Sequence, residues 1–150
     1  MSEEPRFRRL RIYNLVMGLF HLAQGAVLVA LAEPYAVPVT ASWMNTRPGP
    51  GIFSMPQLYF EFDLGYAVAL FLFFSAAAHF VIAGPAYGRY VAGLKQNRNY
   101  YRWIEYAFSS SLMVVLISSL VGITDIAALV AIFGVNAMMI LFGLLMEKYE

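Results

Sequence analysis

Four apolar stretches divide the chain, at roughly 10–31, 58–82, 100–121 and 126–146. A transmembrane helix needs about 20 mostly apolar residues to span about 30 Å of hydrocarbon. The pattern therefore predicts an all-α integral membrane protein, with four transmembrane helices in a single membrane domain over residues 1–150. The first stretch is interrupted by Asn14, His21 and Gln24. His21 and Gln24 are three apart and so share a helix face. Gly18 and Gly25 permit close helix contact, and Pro34 closes the segment. Between 33 and 57 the pattern changes. Pro34, Pro38, Pro48, Pro50 and Pro56, with Gly49 and Gly51, break any helix. Residues 37–43 are strand-like, Asn45–Gly51 reads as a turn, and a returning strand starts at Ile52. These predict a short β-hairpin outside the membrane, with an ordered surface loop as the alternative. The second stretch opens with Glu61 and Asp63, read as solvated, carries His79 deep within it, and ends at Gly84-Pro85. Residues 86–99 form a polar connection. The last two segments are joined by 122–125, where Thr124 or Asp125 can cap the next helix.

Composition sharpens the class. The chain is 61% hydrophobic and only 13% charged, whereas a soluble domain is about half apolar and about a quarter charged. There is no cysteine, which removes disulfides and thiolate metal sites and leaves the redox compartment open. The net charge of +1 gives no footprint for nucleic acid. The first apolar stretch is longer than a signal-peptide core and lacks a small-residue cleavage site, so it is read as a retained helix. With four spans, the N-terminus, the second loop and the C-terminus share a side. Of the ten basic residues, all but Arg47 lie on that side. The positive-inside rule then predicts cytoplasmic termini and an extracellular hairpin.

The candidate chemistry lies in the spans. Tyr100–Ser111 runs from an aromatic and basic cluster straight into an apolar segment, and Glu105 sits just inside it. A carboxylate left in lipid costs roughly 2.5–3.5 kcal/mol, so a partner is expected. At 1.5 Å per residue, His21 lies roughly 15 Å deep, His79 roughly 9 Å, Glu105 roughly 5 Å and Asn136 roughly 16 Å. One polar residue from each span thus falls in the same half of the membrane, with Gln24 about a turn beyond His21. A polar cavity shared by all four helices would look like this. Each residue also has a plain structural reading. A lone histidine packs, a lone asparagine makes one interhelical hydrogen bond, and Glu105 snorkels beside Arg102. Ser109, Ser110 and Ser111 bond back to their own helix. No helical His/Glu spacing supports a metal, and the serines form no nucleophilic triad, so no enzyme is expected.

Residues 9–25, with Asn14, Gly18, His21, Gln24 and Gly25, resemble the first helix of heliorhodopsins, and Arg102-Trp103-Ile104-Glu105-Tyr106 resembles their third. The proline-rich hairpin, His79 and Asn136 also match, so the likeness covers essentially the whole chain. Heliorhodopsins are seven-helix retinal proteins with a cytoplasmic N-terminus, read as light sensors or regulators rather than pumps. The resemblance implies all-trans retinal as cofactor and Glu105 as counterion of a protonated retinal Schiff base. It implies that His21, Gln24 and His79 line a polar cavity beside it. Tyr106, Ser109, Asn136 and Met139 would lie at or near the chromophore, and a homodimer would form through the hairpin. One departure stands out. The family anchors retinal on a lysine of its seventh helix, whereas the two lysines here, Lys95 and Lys148, lie outside the four spans. The expectation is a truncated piece of a longer photoreceptor, its remaining helices on another segment. The rivals are a four-helix membrane scaffold without chromophore and a transporter-like cavity built on the histidines.

Overall fold

A computed structural model describes residues 5–44 and 54–149. Its elements are α1 (Pro5–Leu31), β1 (Ala36–Ala41), β2 (Gln57–Asp63), α2 (Leu64–Ala83), α3 (Tyr87–Lys95), α4 (Tyr100–Leu120) and α5 (Ile126–Tyr149). Helices α1, α2, α4 and α5 are each long and apolar enough to cross a membrane. Their outward surfaces are rich in large apolar side chains, such as Leu19, Phe108, Val135 and Phe142, as lipid contact requires.

The spans pack in the order α1–α2–α4–α5. Burial of apolar surface away from water cannot drive this inside lipid, so close fit must. On α1, Gly18 and Gly25 are buried, seven residues apart, and face Phe80 and Phe73 of α2. A Cβ at Gly18 would stand 2.8 Å from the Phe80 ring, and one at Gly25 would stand 2.5 Å from the Phe73 ring. The α4–α5 seam repeats the device once, with the Trp103 indole filling the space a side chain at Gly143 would need.

The hairpin between the first two spans is present, but its returning strand is displaced from the sequence reading. Residues 58–63, expected to begin the second helix, belong instead to β2, which pairs antiparallel with β1. Leu58-Tyr59-Phe60-Glu61-Phe62 is apolar enough for a span, yet its aromatic residues suit a pleated surface better. Asp63 is solvated, as expected, and also marks the boundary. Its Oδ1 accepts from the Tyr66 amide at 3.1 Å and its Oδ2 from the Tyr35 amide at 3.0 Å. It thus caps α2 and ties the start of the hairpin to it, and those two amides hold its carboxyl below the ordinary range. The expected Asn45–Gly51 turn and the strand start at Ile52 lie outside the described residues.

Val37 and Val39 point inward from β1 and are buried. A register irregularity after Val39 turns Thr40 toward the α4–α5 link. There its amide donates to the Thr124 carbonyl at 2.8 Å and the two threonine hydroxyls meet at 3.1 Å. Asp125 caps α5 by accepting from the Ala128 amide at 3.1 Å, as its position predicted. The hairpin is therefore fixed to the far end of both helical pairs.

Helix α3 occupies most of residues 86–99, where the sequence predicts a polar connection. Tyr87, Tyr90, Val91 and Leu94 fall at i, i+3, i+4 and i+7, the spacing of one helix face, and Tyr90 is buried. Gly88, Gly93 and the flanking charges obscure that signal in the sequence. Arg11 docks the helix by placing its guanidinium over the Tyr87 ring at 4.6 Å while donating to the Ala83 carbonyl at 2.8 Å.

Candidate functional site

A cleft of about 790 Å³ opens between α1, α2 and α4, with α3 at one end. Its polar wall is built from three spans. On α2, Ser75 and His79 are one helical turn apart and share a face. The Ser75 hydroxyl donates to Glu105 Oε1 on α4 at 2.9 Å. His79 Nδ1 lies 2.8 Å from Asn14 Oδ1 on α1. Because the amide oxygen can only accept, that contact places the proton on His79 Nδ1. The two imidazoles stack, with centroids 5.6 Å apart and planes inclined by 14°. His21 Nδ1 is shielded from solvent and has no hydrogen-bond partner among the described residues.

Asn14 joins this site to the membrane end. It is buried, and its amide nitrogen donates to the Leu10 carbonyl at 2.9 Å. Tyr90 of α3 lines the same cleft as Asn14. Burial pushes the Tyr90 hydroxyl above the ordinary phenol range, outweighing Asn14 and the charge of Arg102. A polar link therefore joins Asn14 to His79, with His21 stacked on its inner end.

Of the residues picked out in the sequence, Glu105, His21, His79, Tyr106 and Ser109 all line the cleft. Three others do not. Gln24 is exposed on α1 and is absent from the cleft wall. The α1–α2 seam is a narrow strip centred on Gly18 and Gly25, and Gln24 lies outside it. Met139 is 63% exposed on α5. Asn136 points into the α4–α5 seam, where its amide nitrogen donates to Ser110 Oγ at 2.8 Å and Ser111 Oγ at 3.0 Å. The expectation of one cavity fed by all four spans is thus corrected. Helices α1, α2 and α4 form it, and Asn136 makes the interhelical bond of its plain structural reading. Ser110 and Ser111 accept from α5, while Ser119 is the serine that bonds back within α4, to the Val115 carbonyl at 3.0 Å.

Sequence reasoning missed Ser75, the role of Asn14 and Tyr90. Two were within reach, since Ser75 precedes His79 by four residues and Asn14 precedes His21 by seven, both same-face spacings. Nor does Glu105 snorkel into an ion pair with Arg102. That guanidinium lies over the Trp103 ring at 4.4 Å and faces Glu147 at 3.8 Å, and Trp103 Nε1 donates to the same carboxylate at 2.7 Å. Among the described residues no cation stands within ion-pair distance of Glu105.

Compared with known proteins, residues 10–150 match the model of the heliorhodopsin family. No curated protein matches the chain. Four membrane-crossing helices, a hairpin between the first two, and a family match over nearly the full length agree, and this multi-pass membrane protein belongs to the heliorhodopsin family.

Proposed function

We propose that this chain supplies the counterion wall of a light-sensing retinal site, with Glu105 as the counterion. The observation that carries the reading is the setting of Glu105. It is a carboxylate on the wall of a membrane-embedded cleft, oriented by one neutral donor, Ser75, and paired with no cation among the described residues. A lone charge there is costly, so the site is complementary to a cation that is not part of the present wall.

Retinal fits this cleft in part. Phe71, Ile104 and Met113 offer apolar wall beside Glu105, which suits a long polyene with one cationic nitrogen. Covalent attachment within this chain does not fit, because neither Lys95 nor Lys148 lines the cleft. The amine is therefore assigned to another segment. What these residues do is hold a negative charge at a fixed point. A carboxylate near an iminium keeps the nitrogen protonated by favouring its charged form.

The same reading puts the termini in the cytoplasm, on the strength of the basic bias, and a homodimer contact on the hairpin, where β2 exposes Leu58, Tyr59 and Phe60. The test of the central role uses the chain in vesicles with a preformed imine of all-trans retinal and n-butylamine, which needs no protein lysine. The visible band is expected to move to longer wavelength in Glu105→Gln, because a neutral amide no longer stabilises the ground-state cation. Identical bands in the two proteins would remove Glu105 from the counterion role.

A further inference from the structure

We propose that the end of the molecule carrying both chain termini binds the phosphate-bearing head groups of anionic membrane lipids through Arg6, Arg8, Arg9, Arg89 and Arg98. This inference is independent of the retinal reading.

Three observations carry it. The first is placement. Phe7 and Tyr90 are the buried residues at the start of α1 and in α3, so Arg6, Arg8, Arg9 and Arg89 face outward and are exposed. Arg98 is fixed by the turn that ends α3. Its amide donates to the Gly93 carbonyl and the Asn97 amide to the Leu94 carbonyl, both at about 3 Å, with Asn97 in the left-handed region at φ 56°. This is the paired bonding of a Schellman cap. A Cβ at Gly93 would stand 2.9 Å from the Arg98 carbonyl oxygen, so the turn requires glycine there. Helices α1 and α3 are locked together by Arg11 over Tyr87 and by the Lys95 ammonium, 5.3 Å from the Phe7 ring centre. The arginines thus lie on adjoining elements at one end of the molecule.

The second observation is charge. Among the described residues no carboxylate stands within ion-pair distance of these five arginines, and the nearby Glu147 is engaged by Arg102 and Trp103. Guanidinium groups offer paired donors that match phosphate oxygens.

The third is height. Tyr87, Tyr100 and Tyr101 gather at the same end, the level at which aromatic side chains mark the membrane–water interface. An acidic soluble protein is the competing partner. The lipid is favoured because the cations flank apolar spans at head-group level, where each is worth about fivefold in affinity for an anionic surface.

The test uses the full chain purified in neutral detergent. Retention of dioleoylphosphatidylglycerol is compared with that of dioleoylphosphatidylcholine by native mass spectrometry. The wild-type chain is expected to prefer the anionic lipid by about tenfold or more, with the preference fading as salt rises. Replacing the five arginines by glutamine should abolish the preference, and replacing them by lysine should keep most of it, which controls for folding. Equal retention of the two lipids by wild type, or an undiminished preference in the glutamine set, overturns the proposal. Displacement of the anionic lipid by millimolar phosphate or by soluble polyglutamate also overturns it, reassigning the surface to soluble anions or acidic proteins.

Discussion

Helix α4 carries polar groups on two faces that solve opposite problems. Toward α5, Asn136 donates to both Ser110 and Ser111, and Trp103 donates to Glu147. Donors there have acceptors, and the bonds join two helices. Toward α2, Glu105 has one neutral donor, and across the cleft His21 Nδ1 of α1 has no partner among the described residues. Within a membrane an unsatisfied polar group costs several kcal/mol at worst. The first face therefore reads as cohesion, and the second as a surface held ready for something else. Polarity inside a membrane is thus not itself a sign of function; incomplete satisfaction beside open volume is.

Breaking the cohesive face should have the largest effect. Gly143→Val would drive a branched side chain into the Trp103 ring, and overpacking of this kind costs about 1–3 kcal/mol. Thermal unfolding in detergent should show the loss, with Gly134→Val, at a position with open space around its Cβ, close to wild type. Asn136→Leu comes next. It strips the donor from two serine hydroxyls, for a loss of about 1–2 kcal/mol. If this variant melts like wild type, the α4–α5 bonds do not hold the seam.

The cleft face should respond differently. His79→Phe loses the bond to Asn14 and should lower stability by about 1 kcal/mol. His21→Phe removes a ring nitrogen that has no partner among the described residues and keeps a flat ring against His79, so stability should hold or rise. A loss as large as that of His79→Phe would mean that His21 is satisfied after all.

A smaller effect, away from both faces, belongs to Asp63. Its folded carboxyl lies below the ordinary value of 3.8 because the Tyr66 and Tyr35 amides favour the charged form. A lowered folded pKa contributes stability that is present above the unfolded value and is lost as pH falls through the folded one. Melting temperature should thus drop more steeply as pH falls below about 5 in wild type than in Asp63→Asn, which keeps a capping side chain. Parallel curves would assign the acid sensitivity elsewhere.

The four spans were legible because long apolar runs have few other uses in so uncharged a chain. The limits of that legibility are physical. Residues 58–63 satisfy both a helix and a strand, and pairing with β1 decides between them. Helix α3 hides behind two glycines and its charges, although its apolar spacing is regular. For the site, rise per residue gives height along a helix but not direction around it. Glu105, His21 and His79 stood out as rare polar residues and do share a cleft. Gln24 and Asn136 have heights that suited the same cavity, yet helix packing turns one outward and the other into α5. Ser75 is the instructive omission, since a serine among alanines draws no attention until the carboxylate opposite it is known.

The most direct measurement is a pH titration of the n-butylamine imine of all-trans retinal bound to the chain, followed through its protonated visible band. With Glu105 as counterion, wild type should keep the nitrogen protonated to higher pH than Glu105→Gln, by at least about one pH unit. Superimposable titrations would contradict the assignment of that carboxylate to a cation in the cleft.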